Sequence, residues 1–135
     1  MVSQLRLRRI NERLKEELAL LLLYEVADPR VRGASVTDVR VDRELAYADV
    51  FVSAVEGPAR KDEILAGLEH ARGFLSRELA RRVELRQFPR LRFHWDPTPE
   101  RAERIEELLK QIRAEREARG ESDADENGEV QAEET

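Results

Sequence analysis

Apolar positions at the start of the chain recur every three or four residues. Leu7, Ile10, Leu14, Leu18 and Leu21 fall on one face, while Arg8, Arg9, Glu12, Lys15 and Glu16 take the other. That spacing predicts an amphipathic helix over residues 4–26. The helix should stop near Asp28-Pro29, because proline disfavours helical geometry in the residue before it, and Gly33 marks a turn. The period then changes to two. In residues 34–42 Thr37, Val39 and Val41 alternate with polar positions. In residues 45–55 Ala46, Ala48, Val50, Val52 and Ala54 share one face, and Tyr47, Asp49, Phe51 and Ser53 the other. Valine-rich alternation is a strand signal. Only Arg43-Glu44 separates the two runs, which predicts an antiparallel hairpin. The half-polar outer face implies a sheet covered on one side.

Gly57-Pro58 closes the second strand, and helical spacing returns over residues 59–83, with Ile64, Leu68, Ala71, Leu75 and Leu79 as its stripe. Gly67 and Gly73 interrupt that stretch. A glycine inside an exposed helix costs about 1 kcal/mol relative to alanine, so two of them predict a bend, or a close backbone approach, near Gly73. After Pro89, residues 90–96 alternate Leu91, Phe93 and Trp95 against Arg92 and His94, a third strand. Thr98-Pro99-Glu100 reads as a helix start: a capping hydroxyl, proline at the first helical position, then an acid favoured by the helix dipole. Ala102, Ile105, Leu108, Leu109 and Ile112 stripe the helix that follows. The order helix, strand, strand, helix–bend–helix, strand, helix predicts a small α+β sandwich, a three-stranded sheet with helices on one face.

Length and charge refine this picture. The 135 residues suit one domain. Residues 114–135 hold nine acids against two bases, a net charge of −7, and residues 1–113 hold 22 bases against 20 acids, a net +2. We therefore expect a folded body over 1–113 and an acidic, disordered tail over 114–135. The chain has no cysteine, which removes disulfides and thiolate chemistry and suits a reducing compartment. The leading apolar run, Leu18–Leu23, precedes Glu25 and Asp28 rather than a cleavage site. No stretch reaches the length of a membrane span. A cytoplasmic protein without a membrane partner is the expectation.

Candidate catalytic chemistry is sparse, and no enzyme, cofactor or metal is expected. His70 and His94 are the two histidines; each has a reading as a general base or a stacking group and another as an ordinary surface side chain. Asp28, Asp38, Asp42 and Asp96 sit at turns and strand ends, where carboxylates bond to backbone amides. Basic clustering is more informative. Residues 72–92 contain Arg72, Arg77, Arg81, Arg82, Arg86, Arg90 and Arg92 against Glu78 and Glu84, and residues 1–15 contain Arg6, Arg8, Arg9, Arg13 and Lys15 against Glu12. Such patches meet nucleic-acid phosphates with steep salt dependence, or else form a solvated helix face with ordinary ion pairs. Arginine outnumbers lysine 21 to 3, which suits phosphate recognition but also follows from a codon or temperature bias. Tyr47 and Phe51 are either a stacking platform for unpaired bases or cover for a neighbouring segment.

Taken in order, these residues resemble the ribosome-binding factor A family of bacteria. The likeness runs from about Arg8 to Ile112. It comprises the first helix ending in Val26-Ala27-Asp28-Pro29-Arg30, then Val36-Thr37-Asp38-Val39, then Leu45-Ala46-Tyr47-Ala48 with Val50 and Val52. Ala71-Arg72-Gly73-Phe74-Leu75, Leu85-Arg86, and Pro89-Arg90-Leu91-Arg92-Phe93 with Asp96 and Thr98 complete it. The resemblance implies a KH-like fold of type II topology. KH domains clamp nucleotides with a GXXG loop; the family replaces it with an Ala-x-Gly kink, matched here by Ala71 and Gly73, and no GXXG occurs between residues 59 and 90. The implied function is association with the free 30S subunit during late maturation, assisting 16S rRNA 5′-end processing and cold adaptation. The implied partners are the 30S subunit and 16S rRNA, with release helped by a small-subunit GTPase, the factor itself being a monomer. Arg72, Arg77, Arg81, Arg82 and Arg86 are the expected RNA contacts, with Arg8 and Arg9 as a second contact. The competing readings are a general KH-like module acting on other RNAs and a protein-interaction domain.

Overall fold

The computed structural model describes residues 2–120, and the remainder of the acidic tail lies outside them. The chain divides into two units, Met1–Pro97 and the segment from Thr98 onward. The first contains helix α1 (Gln4–Tyr24), strands β1 (Ala34–Val41) and β2 (Tyr47–Ala54), helix α2 (Lys61–Arg82) and strand β3 (Arg90–Trp95); the second contains helix α3 (Thr98–Ala118). The sheet order is β1-β2-β3, with β1 antiparallel and β3 parallel to the central strand. One apolar cluster fills the space between sheet and helices. Ile10, Leu14, Leu18 and Leu21 come from α1, and Ile64, Leu68, Leu75 and Leu79 from α2. Val39, Val41, Ala48, Val50, Val52 and Leu91 come from the strands. Both helices therefore lie on one face of a mixed sheet, the KH-like arrangement of the second topological type.

Local chemistry sets each boundary. Ser3 caps α1 by accepting from Arg6 N at 3.2 Å. Asp28 caps the short 3-10 turn Pro29–Val31, accepting from Arg30 N at 3.0 Å and from the Arg30 guanidinium at 2.6 Å. The bond from the Arg30 side chain, then that from its backbone N–H, holds the Asp28 carboxyl at about 2, below the ordinary 3.8. Arg60 ties the start of α2 to the same turn, donating to the carbonyls of Arg32 and Arg30.

Three sequence expectations need correction. The hairpin connection is Asp42–Ala46 rather than two residues. Asp42 Oδ1 accepts from Ala46 N and Tyr47 N at 2.7 and 3.0 Å, and Leu45, at φ 57°, is buried beneath the loop. The alternation of β1 changes phase, because the register shifts between Val36 and Asp38. Val36 packs against the core, and Thr37 is the extra residue. The Thr37 hydroxyl is bonded to Asp96 Oδ2 at 2.6 Å. Beyond this bulge Val39 N donates to the Asp38 carboxylate and Val41 N to Asn11 Oδ1, at 2.9 and 3.0 Å.

The third correction concerns α2, which runs unbroken from Lys61 to Arg82. Ala71 and Gly73 sit inside a single helix, not between two. Burial of the Ile64–Leu79 stripe along its whole length outweighs the cost of about 1 kcal/mol for a glycine. The close approach falls at Gly67: a Cβ there would lie 2.8 Å from Val31 Cγ1 and 2.9 Å from Arg30 Cβ. At Gly73 a Cβ would meet only the far end of the Arg77 side chain, at 3.3 Å. In the second unit α3 holds no buried residue, and the expected stripe of Ile105, Leu108, Leu109 and Ile112 is 43–58% exposed.

Gly67→Ala should lower stability by roughly 1–3 kcal/mol, because overpacking at the turn outweighs the gain in helix propensity. Gly73→Ala should raise it by up to about 1 kcal/mol; thermal unfolding of the two variants checks the opposite signs. Asp28 contributes stability above its unfolded pKa, and that contribution is lost as pH falls from about 4 toward 2. Acid titration of Asp28→Asn should therefore show a lower plateau at neutral pH and a shallower fall across that window.

Candidate nucleic-acid interface

Because Leu75 and Leu79 face inward, residues two positions away point outward, about 200° round the helix. Gly73, Arg77 and Arg81 lie in one such row and are all exposed. Arg77 makes no ion pair among the described residues. Arg81 is paired with Glu78 at 3.4 Å, with its side chain 77% exposed, a pairing that solvent makes weak and easily exchanged for a phosphate. Arg72 is half-buried and lies 3.5 Å from Glu69. Arg86, in the linker after α2, is exposed, as are Arg8 and Arg9 on α1. A helix row thus presents two guanidinium groups to solvent, with bare backbone at Gly73 beside them.

Arg82 stands apart from this set. Its guanidinium reaches Glu17 of α1 at 3.3 Å and Glu78 at 3.9 Å. Glu17 is itself buried and also takes Arg13 at 3.1 Å, while Arg13 donates to the Arg82 carbonyl at 3.5 Å. The arrangement fastens α1 to the C-terminal end of α2. Its signal is present in the sequence: Arg82 follows Leu79 by three residues and Leu75 by seven, and Glu17 follows Leu14 by three. Each charge therefore falls on the apolar stripe of its own helix, where it requires a partner.

The outer face of the sheet is charged and already internally partnered. Arg92 lies over the Tyr47 ring at 4.1 Å and holds Asp49 with two bonds of 2.8 and 3.0 Å. His94 Nε2 is 2.7 Å from the same carboxylate, and its ring stacks on Phe51 at 5.1 Å, with Arg40 also over Phe51 at 5.3 Å. The Arg92 bonds, then those of His94, lower the Asp49 pKa against the opposing effect of burial. To stack on Tyr47 or Phe51, a base would have to displace a guanidinium or an imidazole. These rings meet their neighbours rather than offering an open platform. His70 is exposed, with no hydrogen-bond partner among the described residues. Asp28, Asp38 and Asp42 accept backbone amides, as their positions suggested. Among the described residues no group of three or more histidines, aspartates or glutamates is placed to hold a metal ion, and no helix is long and apolar enough to cross a membrane.

Known proteins resemble this chain in sequence and in fold. A family profile for ribosome-binding factor A matches residues 6–109. A relative from Aromatoleum aromaticum named ribosome-binding factor A is 42% identical over 118 residues, which is 87% of this chain and 93% of the relative. One of the same name from Halothermothrix orenii is 40% identical over 113 residues, 84% and 93% of the two chains. The crystal structure of ribosome-binding factor A from Thermus thermophilus superposes with a TM-score of 0.59 at 31% identity, covering 65% of this chain and 93% of that one. A KH-like fold, a family profile matched along most of the chain and relatives of the same name at 40–42% identity place the chain in the ribosome-binding factor A family.

Proposed function

We propose that this chain binds the free 30S ribosomal subunit through 16S rRNA during late maturation, assisting processing of the rRNA 5′ end and supporting growth in the cold. It acts as a cytoplasmic monomer, as a binding factor rather than a catalyst, and leaves the particle with the help of a small-subunit GTPase. The observation that carries the reading is the row Gly73, Arg77 and Arg81 on the outward side of α2, with Arg72 and Arg86 flanking it in sequence. Membership of a family named for ribosome binding supports the choice of partner. Ala71 packs partly against the core and Gly73 leaves backbone accessible beside Arg77, so an rRNA backbone can approach the helix closely there. Arg8 and Arg9 supply a second contact from α1. Base sequence is read weakly on this arrangement, since guanidinium–phosphate contacts position a ligand without identifying its bases.

Changing Arg77 and Arg81 together to glutamate should weaken co-sedimentation with small subunits on the order of tenfold at low salt, with unfolding unchanged. Wild-type binding should itself fade as salt rises. Arg82→Ala should do the reverse: it strands the buried Glu17 carboxylate from one partner and should lower stability by about 1–2 kcal/mol, leaving particle binding at low temperature close to wild type. Unaltered sedimentation of the double variant would rule out this helix row as the contact.

A further inference from the structure

A recess of about 460 Å³ lies at one end of the Met1–Pro97 unit, and three arginines from distant parts of the chain converge on it: Arg6 of α1, Arg43 of the hairpin loop and Arg86 of the linker before β3. None of their guanidinium groups forms an ion pair among the described residues, and all three residues are exposed. Glu44 is the one carboxylate in the lining, and Gln87 adds an amide. Three unpaired cations around one concavity repel one another, and walls with a low dielectric concentrate their field. Such an arrangement is relieved by an anion that accepts from several forks at once, as the oxygens of a phosphate do.

The walls are fixed, not left to chance. Val2 N donates to the Arg43 carbonyl at 3.3 Å, joining the segment before α1 to the hairpin loop. Arg90 N donates to the Ala46 carbonyl at 2.9 Å, joining the linker to the same loop. Leu45 closes the loop from beneath, with its N–H on the Asp42 carbonyl at 3.0 Å and its side chain buried. The backbone carrying the three arginines is thus held in place before a ligand arrives, which lowers the ordering cost of binding. A solvated basic helix face would not need three separate segments tied together in this way.

We infer that the Arg6–Arg43–Arg86 recess is a phosphate-binding site that takes a phosphodiester of a nucleic-acid backbone. It is distinct from the Arg77–Arg81 row, and only the source of the phosphate rests on the ribosomal reading. The competing occupant is an acidic peptide, including the acidic segment 121–135 of this chain. The test follows the arginine Nε–Hε resonances of the full-length chain by NMR during titration with an oligouridylate about ten residues long. The signals of Arg6, Arg43 and Arg86 should move together on one saturation curve that weakens as salt is added. Arg43→Gln and, separately, Arg6→Gln should each weaken binding severalfold and make the dependence of log affinity on log salt shallower by about 0.7, the loss of one single-strand phosphate contact. Equal shifts spread over the surface arginines, or unchanged salt slopes in both variants, would overturn the site. A synthetic peptide of residues 121–135 that moves the three signals at lower concentration than the oligonucleotide would overturn the phosphodiester assignment. If the oligonucleotide titration succeeds while the wild-type chain fails to co-sediment with small subunits, the recess stands and the ribosomal partner falls.

Discussion

Everything presented outward by α2 is decided by what it buries inward. Ile64, Leu68, Leu75 and Leu79 are each fully buried against the sheet and α1, and their removal from water dominates the energetics of the domain. Once that stripe is seated, the helix cannot rotate without exposing it. The azimuth of every other side chain follows. Arg77 and Arg81 must face solvent, and Arg82 must fall toward α1. Gly67 must lie against the Pro29–Val31 turn, where no Cβ fits. One hydrophobic constraint thereby divides the arginines of a single helix into those that can meet a ligand and one that holds the fold.

Much of this architecture is readable from periodicity. The stripes of α1 and α2, the inward face of β2 and the start of β3 all match the expected positions, because burial on one face is a regular signal. What escapes the pattern is local and irregular. An added residue at Thr37 inverts the phase of β1, and its stabilising partner, Asp96, lies 59 positions away. Leu45 takes a left-handed conformation that no local rule anticipates for leucine. Gly73 attracts attention for its family resemblance, yet the glycine that sterics require in this chain is Gly67, whose reason lies in a distant turn. The stripe of α3 shows the opposite failure: helical spacing of apolar residues states that a face exists and leaves open whether anything covers it.

The candidate site was legible to the same degree. Counting bases pointed to the exposed arginines of α2, but a count cannot separate cations left at the surface from those held by a distant carboxylate. Arg82 and Arg92 each belong to a carboxylate within the unit, and the sequence interval to that partner, 65 and 43 residues, hides the pairing. Conversely, Arg43 carried no special mark in the sequence, and Arg6 stood out only as one member of the N-terminal basic cluster. Their convergence with Arg86 is a product of the fold, where the hairpin loop, the first residues and the linker are joined by backbone hydrogen bonds.

The bulge in β1 has a consequence for the life of the protein in a crowded cell. As a border strand of a three-stranded sheet, β1 carries a row of backbone groups that could zip onto an unrelated chain. In the half of the strand beyond the bulge, that row is disarmed. Val39 N–H is claimed by the neighbouring carboxylate and Val41 N–H by an asparagine reaching down from α1, and the irregular register breaks the straight template that a foreign strand would need. Along that half of its open edge, the sheet is thus kept from recruiting a foreign strand.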